Sequence, residues 1–216
     1  MIMDEEITII NEKTRNEKIK SFFVENKKSL IFTTILSIII IISFYAYQIY
    51  QSQQRESISN KYNSSIIEYN NGNKTETVSL MKEIVNERDS TYSPLALYFL
   101  IDNELIQNLN DVNDLFSIII NKTSLEKEIK NLIIYKKALY NADFIDENEL
   151  LEIVNPLINS NSVWKSHTLY LVAEYFYSKN EKQKSKEFFN QIINTKNANQ
   201  DIIKEAQKRL NRDLSE

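Results

Sequence analysis

Side chains suited to reaction chemistry are scarce in this sequence. His167 is the only histidine and there is no cysteine. A histidine-rich metal centre is therefore excluded, and a zinc site would have to be built almost entirely from carboxylates. No metal and no cofactor are expected. The single glycine, Gly72, lies in the polar turn NNGN, so no glycine-rich loop can cradle a phosphate. Neither a GxSxG elbow nor an HExxH motif occurs. Carboxylates are numerous, as on any solvated helical surface, and nothing marks two of them as an acid and base pair. The expectation is a protein without enzymatic activity; a carboxylate-only hydrolase is the remaining catalytic alternative.

Recognition chemistry is better represented. His167, Tyr170, Glu174 and Tyr177 follow one another at intervals that place them on one face of a helix. Tyrosine supplies a large contact area at low entropic cost, which suits a protein-binding surface. These four are the candidate protein-binding residues. The competing reading is that Tyr170 and Tyr177 pack on a neighbouring helix, with Trp164 at the helix start as a packing anchor.

The elements that must position this face begin with a membrane segment. Residues 30–47, LIFTTILSIIIIISFYAY, carry no charge. Eighteen residues at a rise of about 1.5 Å span roughly 27 Å, close to the hydrocarbon thickness of a bilayer. Thr33, Thr34, Ser37 and Ser43 can return their hydroxyls to carbonyls of their own helix, and Tyr45, Tyr47 and Tyr50 resemble an interfacial belt. Lys13, Arg15, Lys18, Lys20, Lys27 and Lys28 precede the run, whereas only Arg55 and Lys61 follow within twenty residues. That asymmetry predicts a cytoplasmic N-terminus. The apolar run exceeds the h-region of a signal peptide and no A-x-A-like site follows, so the anchor is read as uncleaved. The domains expected are 1–28, a cytoplasmic tail, 29–50, a transmembrane anchor, and 51–216, an extracytoplasmic helical domain. Residues 1–15 read as disordered, and the stripe Ile19, Phe22, Phe23 and Leu30 predicts an amphipathic helix on the inner leaflet.

Beyond residue 28 the chain holds 20 basic and 24 acidic residues, which argues against a nucleic-acid partner. One glycine and two prolines leave almost nothing for tight hairpin turns, so the fold class is all-α. Helical signals then recur in pairs. Ile58, Tyr62, Ile66 and Tyr69 form one face, ending at Gly72, and Asn73 with Glu76 is placed to cap the next helix. Ser93 and Pro94 read as the N-cap and first turn of a helix through LALYFLIDNELI. The polar break NLND leads to a second helix. Thr123 with Glu126, Asp146 with Glu149 and Ser178 with Glu181 have capping-box spacing, Ser162 opens a further helix, and a last helix is expected near 200–212. Pro156 should end or bend its helix.

Leu97, Leu132, Leu169 and Ala206 occupy comparable places at intervals of 35, 37 and 37 residues, close to the tetratricopeptide period. In the last hairpin Leu169, Val172, Ala173, Phe176, Ser185 and Phe189 match that repeat in register. The array expected is a tetratricopeptide-like stack of helical hairpins behind one transmembrane helix, and in such a stack the first helices carry the binding face.

The stretch KSFFVENKKSL resembles the opening of the ancillary SecYEG translocon subunit family, the YfgM-like membrane-anchored proteins. The resemblance rests on Phe22, Phe23, Glu25, Asn26 and Lys28, with Lys27 standing where that family is expected to have glycine. It implies an inner-membrane protein whose periplasmic domain associates with the Sec translocon and periplasmic chaperones during handover of secretory proteins. A coordinator of cell division or envelope assembly is the related alternative. Self-association into a homo-oligomer through the stalk or span is a purely structural one.

Overall fold

In a computed structural model, Glu17 and residues 20–214 are described. The tail expected to be disordered, and Ile19 of the amphipathic stripe, lie outside them. The described residues are all-α, and the chain divides into two units, Met1–Glu56 and Ser57–Glu216.

In the first unit residues 20–25 are helical, Asn26 is a turn, and helix α1, Lys27–Asn70, follows at once. An 18-residue window of α1 has a mean hydropathy of 2.3 and no buried residue, so this helix is long and apolar enough to cross a membrane. Three of the hydroxyls in its apolar run are satisfied locally, as expected for Thr33, Thr34 and Ser37 but not shown for Ser43: Thr33 donates to the Ser29 carbonyl at 2.9 Å, Thr34 to Leu30 at 2.8 Å and Ser37 to Thr33 at 2.9 Å. Where the apolar run ends, Gln51 and Gln54 donate to the Tyr47 and Tyr50 hydroxyls one turn earlier.

In the second unit, from Ser57, the end of α1 pairs with α2, Lys74–Asn86. Three more hairpins follow: α3, Tyr92–Asp102, with α4, Leu109–Lys122; α5, Lys127–Asn141, with α6, Glu147–Ile158; and α7, Lys165–Ser178, with α8, Lys182–Asn194. Helix α9, Gln200–Asp213, closes the stack. Its inward positions are apolar, with Ala206 fully buried, while Lys204, Gln207, Lys208 and Asn211 face solvent, as a terminal cap requires. The Leu97, Leu169 and Ala206 positions are buried as the period requires, but Leu132 is only half-buried and its neighbour Ile133 takes the inward place. The interval is therefore more regular in the structure than the leucines alone suggest.

All six register residues of the last hairpin are buried, Leu169, Val172, Ala173, Phe176, Ser185 and Phe189. The first hairpin repeats this arrangement. Ser65 and Thr77 are both fully buried, twelve residues apart like Ala173 and Ser185, and the Thr77 hydroxyl reaches the Ser65 carbonyl at 3.5 Å. Small side chains at these crossings let the paired helices approach closely, and a larger one would overpack them.

One turn design joins the helices. The second residue past the end of α1, α2, α3 and α7 lies in the left-handed region: Gly72 (φ 86°), Arg88 (φ 59°), Glu104 (φ 51°) and Asn180 (φ 61°). Around Gly72, Glu104 and Asn180 the paired bonds of a Schellman cap form, for example Glu181 N–H to the Phe176 carbonyl at 2.9 Å and Asn180 N–H to Tyr177 at 3.0 Å.

Several N-termini differ from expectation. The Asp146–Glu149 capping box is present, with bonds of 2.9 and 3.1 Å. Ser93 does not cap α3: it is buried and donates to the Ile84 carbonyl at 2.8 Å, while Asp89 accepts from the Thr91 and Tyr92 amides. α3 also stops at Asp102, because Leu105 folds back on Leu100 through the Glu104 turn. Thr123 ends α4 and Ser178 ends α7, so neither heads a box; Glu126 and Glu181 stand at the N-caps of α5 and α8 without a side-chain cap bond. Asn73 is the N-cap residue of α2, but its amide donates to Glu68. Ser162 lies two residues before the Trp164 N-cap of α7, and its hydroxyl oxygen accepts from the Trp164 amide N–H at 3.1 Å. α6 continues two residues past Pro156.

The apolar interior forms three clusters. The first extends from α2 to Ile133, the second is built on Ala138, Leu150, Val154, Val172, Tyr175 and Phe176, and the third joins Leu169, Ala173, Phe189 and Ile192 to Ala206 and Leu214.

Candidate protein-binding surface

The four candidate residues on α7 separate into two groups. Glu174 receives a two-pronged contact from Arg209 of α9, Nε to Oε1 at 2.7 Å and Nη2 to Oε2 at 2.6 Å. The same guanidinium lies 4.3 Å above the Tyr177 ring and pairs with Asp213. Tyr170 packs edge-on against Phe189, with ring centroids 5.5 Å apart, and burial, then the Glu174 charge, push its hydroxyl up to about 12. Tyr170, Glu174 and Tyr177 thus converge on α9, all of them half-buried. His167 stands apart from them. Its ring lies 5.2 Å from Trp164 and 6.1 Å from Tyr135 of α5, and its Nδ1 is buried without a hydrogen-bond partner. Trp164 and Tyr135 stack at 5.8 Å, so Trp164 is the repeat anchor expected of it. Arg209 is the residue that the sequence did not single out; its place one helix further on, at the inward register of α9, was the available signal.

A second surface lies on the first helices α3 and α5. A cleft of about 480 Å³ runs between them, lined by Leu95 and Tyr98 of α3, Leu125 of the connecting loop, and Ile129 and Leu132 of α5. Past Tyr98 a smaller cleft of about 220 Å³ continues along Ile101, Lys136, Leu139 and Tyr140. Tyr98 forms a wall of both. Leu95 and Ile129 are each 42 % exposed and Leu139 is 51 % exposed, which concentrates bare apolar surface along these two clefts. Phe144, beside Tyr140 at 6.3 Å, extends it.

The sequence carried a signal for this face. In α5 the inward positions Ile133, Ile134 and Ala138 already complete a core stripe, so Ile129, Leu132 and Leu139 are apolar residues in excess of what one buried face requires.

Among the described residues no group of His, Asp and Glu is placed to hold a metal. The charged side chains of the clefts are Glu126, Asp102 and Lys136, and Lys136 lies 4.5 Å over the Tyr98 ring. Nothing in this arrangement pairs a nucleophile with a base; it offers apolar contact area with a few polar groups at its edges, the composition of a recognition surface.

A tetratricopeptide repeat-like domain family is similar to residues 20–111 of this chain, a stretch that begins ahead of α1 and ends in the first turn of α4. The similarity therefore covers the apolar helix and the Ser65–Thr77 hairpin, and leaves the better-matching last hairpin outside it. No curated protein and no solved structure matches the chain.

Proposed function

We propose that this chain is a non-enzymatic, single-pass membrane anchor carrying a tetratricopeptide-like scaffold that binds other proteins. The observation that carries this reading is the joint presence of an apolar helix with none of its hydrophobic window buried and a repeat unit with a bare apolar cleft on its first helices. The first needs lipid, and the second needs a partner. The excess of Lys and Arg ahead of the span supports a cytoplasmic N-terminus and a periplasmic repeat domain. The resemblance carried by Phe22, Phe23, Glu25, Asn26 and Lys28 favours the Sec translocon and periplasmic chaperones as partners, with a role in the handover of secretory proteins. On this reading His167, Tyr170, Glu174 and Tyr177 continue the contact face beyond α5 through their solvent-facing edges.

The test is site-specific photocrosslinking in native membranes from Leu95, Ile129, Tyr170 and Tyr177. Adducts with translocon subunits or folding factors are expected. Adducts confined to the chain's own helices would overturn the scaffold reading. Because the chain has no cysteine, single substitutions Ser21→Cys and Ser57→Cys report its topology: a membrane-impermeant maleimide added outside the inner membrane should label only the second.

A further inference from the structure

We propose that the loop end at which the chain enters the repeat unit rests on an anionic phospholipid surface, with the phosphate of one headgroup taken into the polar cleft between the α6–α7 and α8–α9 loops. This goes beyond protein binding but rests on the membrane-anchor part of the reading above.

Antiparallel hairpins place every second loop at the same end of the unit, and contacts join these loops into one edge. At its start the Tyr92 hydroxyl donates to Ser59 at 2.8 Å and Lys61 pairs with Glu87 at 3.3 Å, so Ser59 stands level with the α2–α3 loop. Ser90 and Thr91 then share a cleft with Ser124 and Leu125 of the α4–α5 loop. Glu128 accepts from Ser162 of the α6–α7 loop, and the Asn199 amide of the α8–α9 loop donates to the Ser166 hydroxyl at 3.3 Å. About nine residues of chain separate Ser59 from Tyr50, the last tyrosine of the apolar run, and even fully extended they reach only roughly 30 Å. A bilayer surface is therefore within reach of this edge.

Charge sets the edge apart from the opposite one. Arg88, Lys122, Lys127, Lys165 and Lys196 lie in these loops or on the helix residue next to them, all exposed except the half-buried Lys165. None of them forms a salt bridge among the described residues, where the pairs involve other cations such as Lys61, Lys82, Lys184 and Arg209. The acidic groups here are already engaged: Glu87 with Lys61, Asp89 with the Thr91 and Tyr92 amides, and Glu128 with Ser162 and Val163. Glu126 is the exception. At the opposite loops the balance reverses, with Asp102, Glu104, Asp143, Asp146, Glu147 and Glu181 against Lys74, Lys179 and Lys182. An anionic surface thus attracts one edge and repels the other.

The cleft supplies the local contact. It encloses about 580 Å³ and is lined by Lys165 and Lys196 together with Asn161, Asn194 and Asn197. Ammonium groups and side-chain amides are donors suited to the free oxygens of a phosphodiester. Val163, an apolar residue of the same lining, is 66 % exposed and is placed to enter the headgroup layer beside that phosphate.

The test uses the full-length chain reconstituted in vesicles of phosphatidylcholine alone or of an equal mixture with phosphatidylglycerol. Since the chain has no cysteine, Val163→Cys carries a single NBD fluorophore, and Asp143→Cys on the opposite edge carries the reference label. Emission from position 163 should be blue-shifted and brighter in the anionic vesicles, and high salt should reverse the difference. Emission from position 143 should not depend on the lipid. Lys165→Gln and Lys196→Gln should each weaken the contact about five-fold, and together they should abolish the shift with the melting temperature unchanged. A label at 163 that shows no shift, the same shift in both lipids, or a shift that survives the double substitution overturns the inference. So does a shift that persists in detergent and grows with protein concentration, since a second copy would then cover the edge. Flotation with the vesicles separates the two readings: protein that floats without the shift loses only this contact, and protein that does not float loses the anchor as well.

Discussion

The side chains of Asn113 and Asn141 hydrogen-bond to each other twice, each amide nitrogen donating to the other's oxygen at 2.8 and 2.9 Å. Asn141 also donates to the Lys137 carbonyl at 2.8 Å and is fully buried. The pair links α4 to α5 where the first apolar cluster gives way to the second. Removing one partner strands the other. Asn141→Ala should destabilise the protein by about 1–3 kcal/mol, and adding Asn113→Ala should cost less than the sum of the two single changes. Urea denaturation of the three variants followed by circular dichroism measures this; strictly additive losses would show that the two amides do not cooperate.

Glu104 occupies a left-handed position that glycine adopts without penalty. Glu104→Gly should raise stability by about 1 kcal/mol, and Gly72→Ala, at the equivalent turn, should lower it by a similar amount. Opposite shifts in the thermal midpoint are expected.

Glu128 of α5 holds the α6–α7 loop, accepting from the Ser162 hydroxyl at 2.7 Å and the Val163 amide at 3.2 Å. The Ser162 bond, followed by those of Val163 and Asn131, keeps its carboxyl below the usual value of 4.5. A depressed folded value means that the stabilisation is complete above about pH 4.5 and disappears as the pH falls through the folded value. The stability gap between the parent and Glu128→Gln should therefore be widest near neutrality and shrink below pH 4.5. Urea midpoints at pH 7 and pH 3.5 compare the two conditions, and a gap that does not change with pH would refute the assignment.

Arg209 ties α9 to α7 through Glu174, and its side chain is only 14 % exposed. Arg209→Lys retains the charge but loses the planar fork that meets both carboxylate oxygens. It should speed amide hydrogen exchange across α9 without affecting α2 and α3. Equal acceleration in all three helices would indicate global loosening rather than undocking of the cap.

The pairing of helices was readable because burial repeats with the helical period and because polar turns interrupt it at nearly regular intervals. Capping was less readable. A Thr, Ser or Asp three residues before a Glu can head a helix, as Asp146 does, or end the preceding one, as Thr123 and Ser178 do, and local spacing does not separate the cases. Ser93 had cap chemistry, but its position against α2 gave its hydroxyl to Ile84 instead. The α7 face was identified as a set of residues, yet its engagement with Arg209 depends on how α9 returns across the stack, which no local pattern encodes. The surplus apolar positions Ile129, Leu132 and Leu139 of α5 were legible, but their meeting with Leu95 was not, because the two helices lie more than thirty positions apart.

The break between apolar clusters falls inside a single helix, with Ile133 belonging to one and Ala138 to the next. Helix α5 is thus shared by two neighbouring interiors that touch through it rather than through each other. Disorder that starts by peeling α9 away can spread back only as far as this common strut before it must dismantle a separately sealed interior. The stack accordingly has a built-in stopping place, and damage at its far end need not reach the hairpin that continues from the apolar helix.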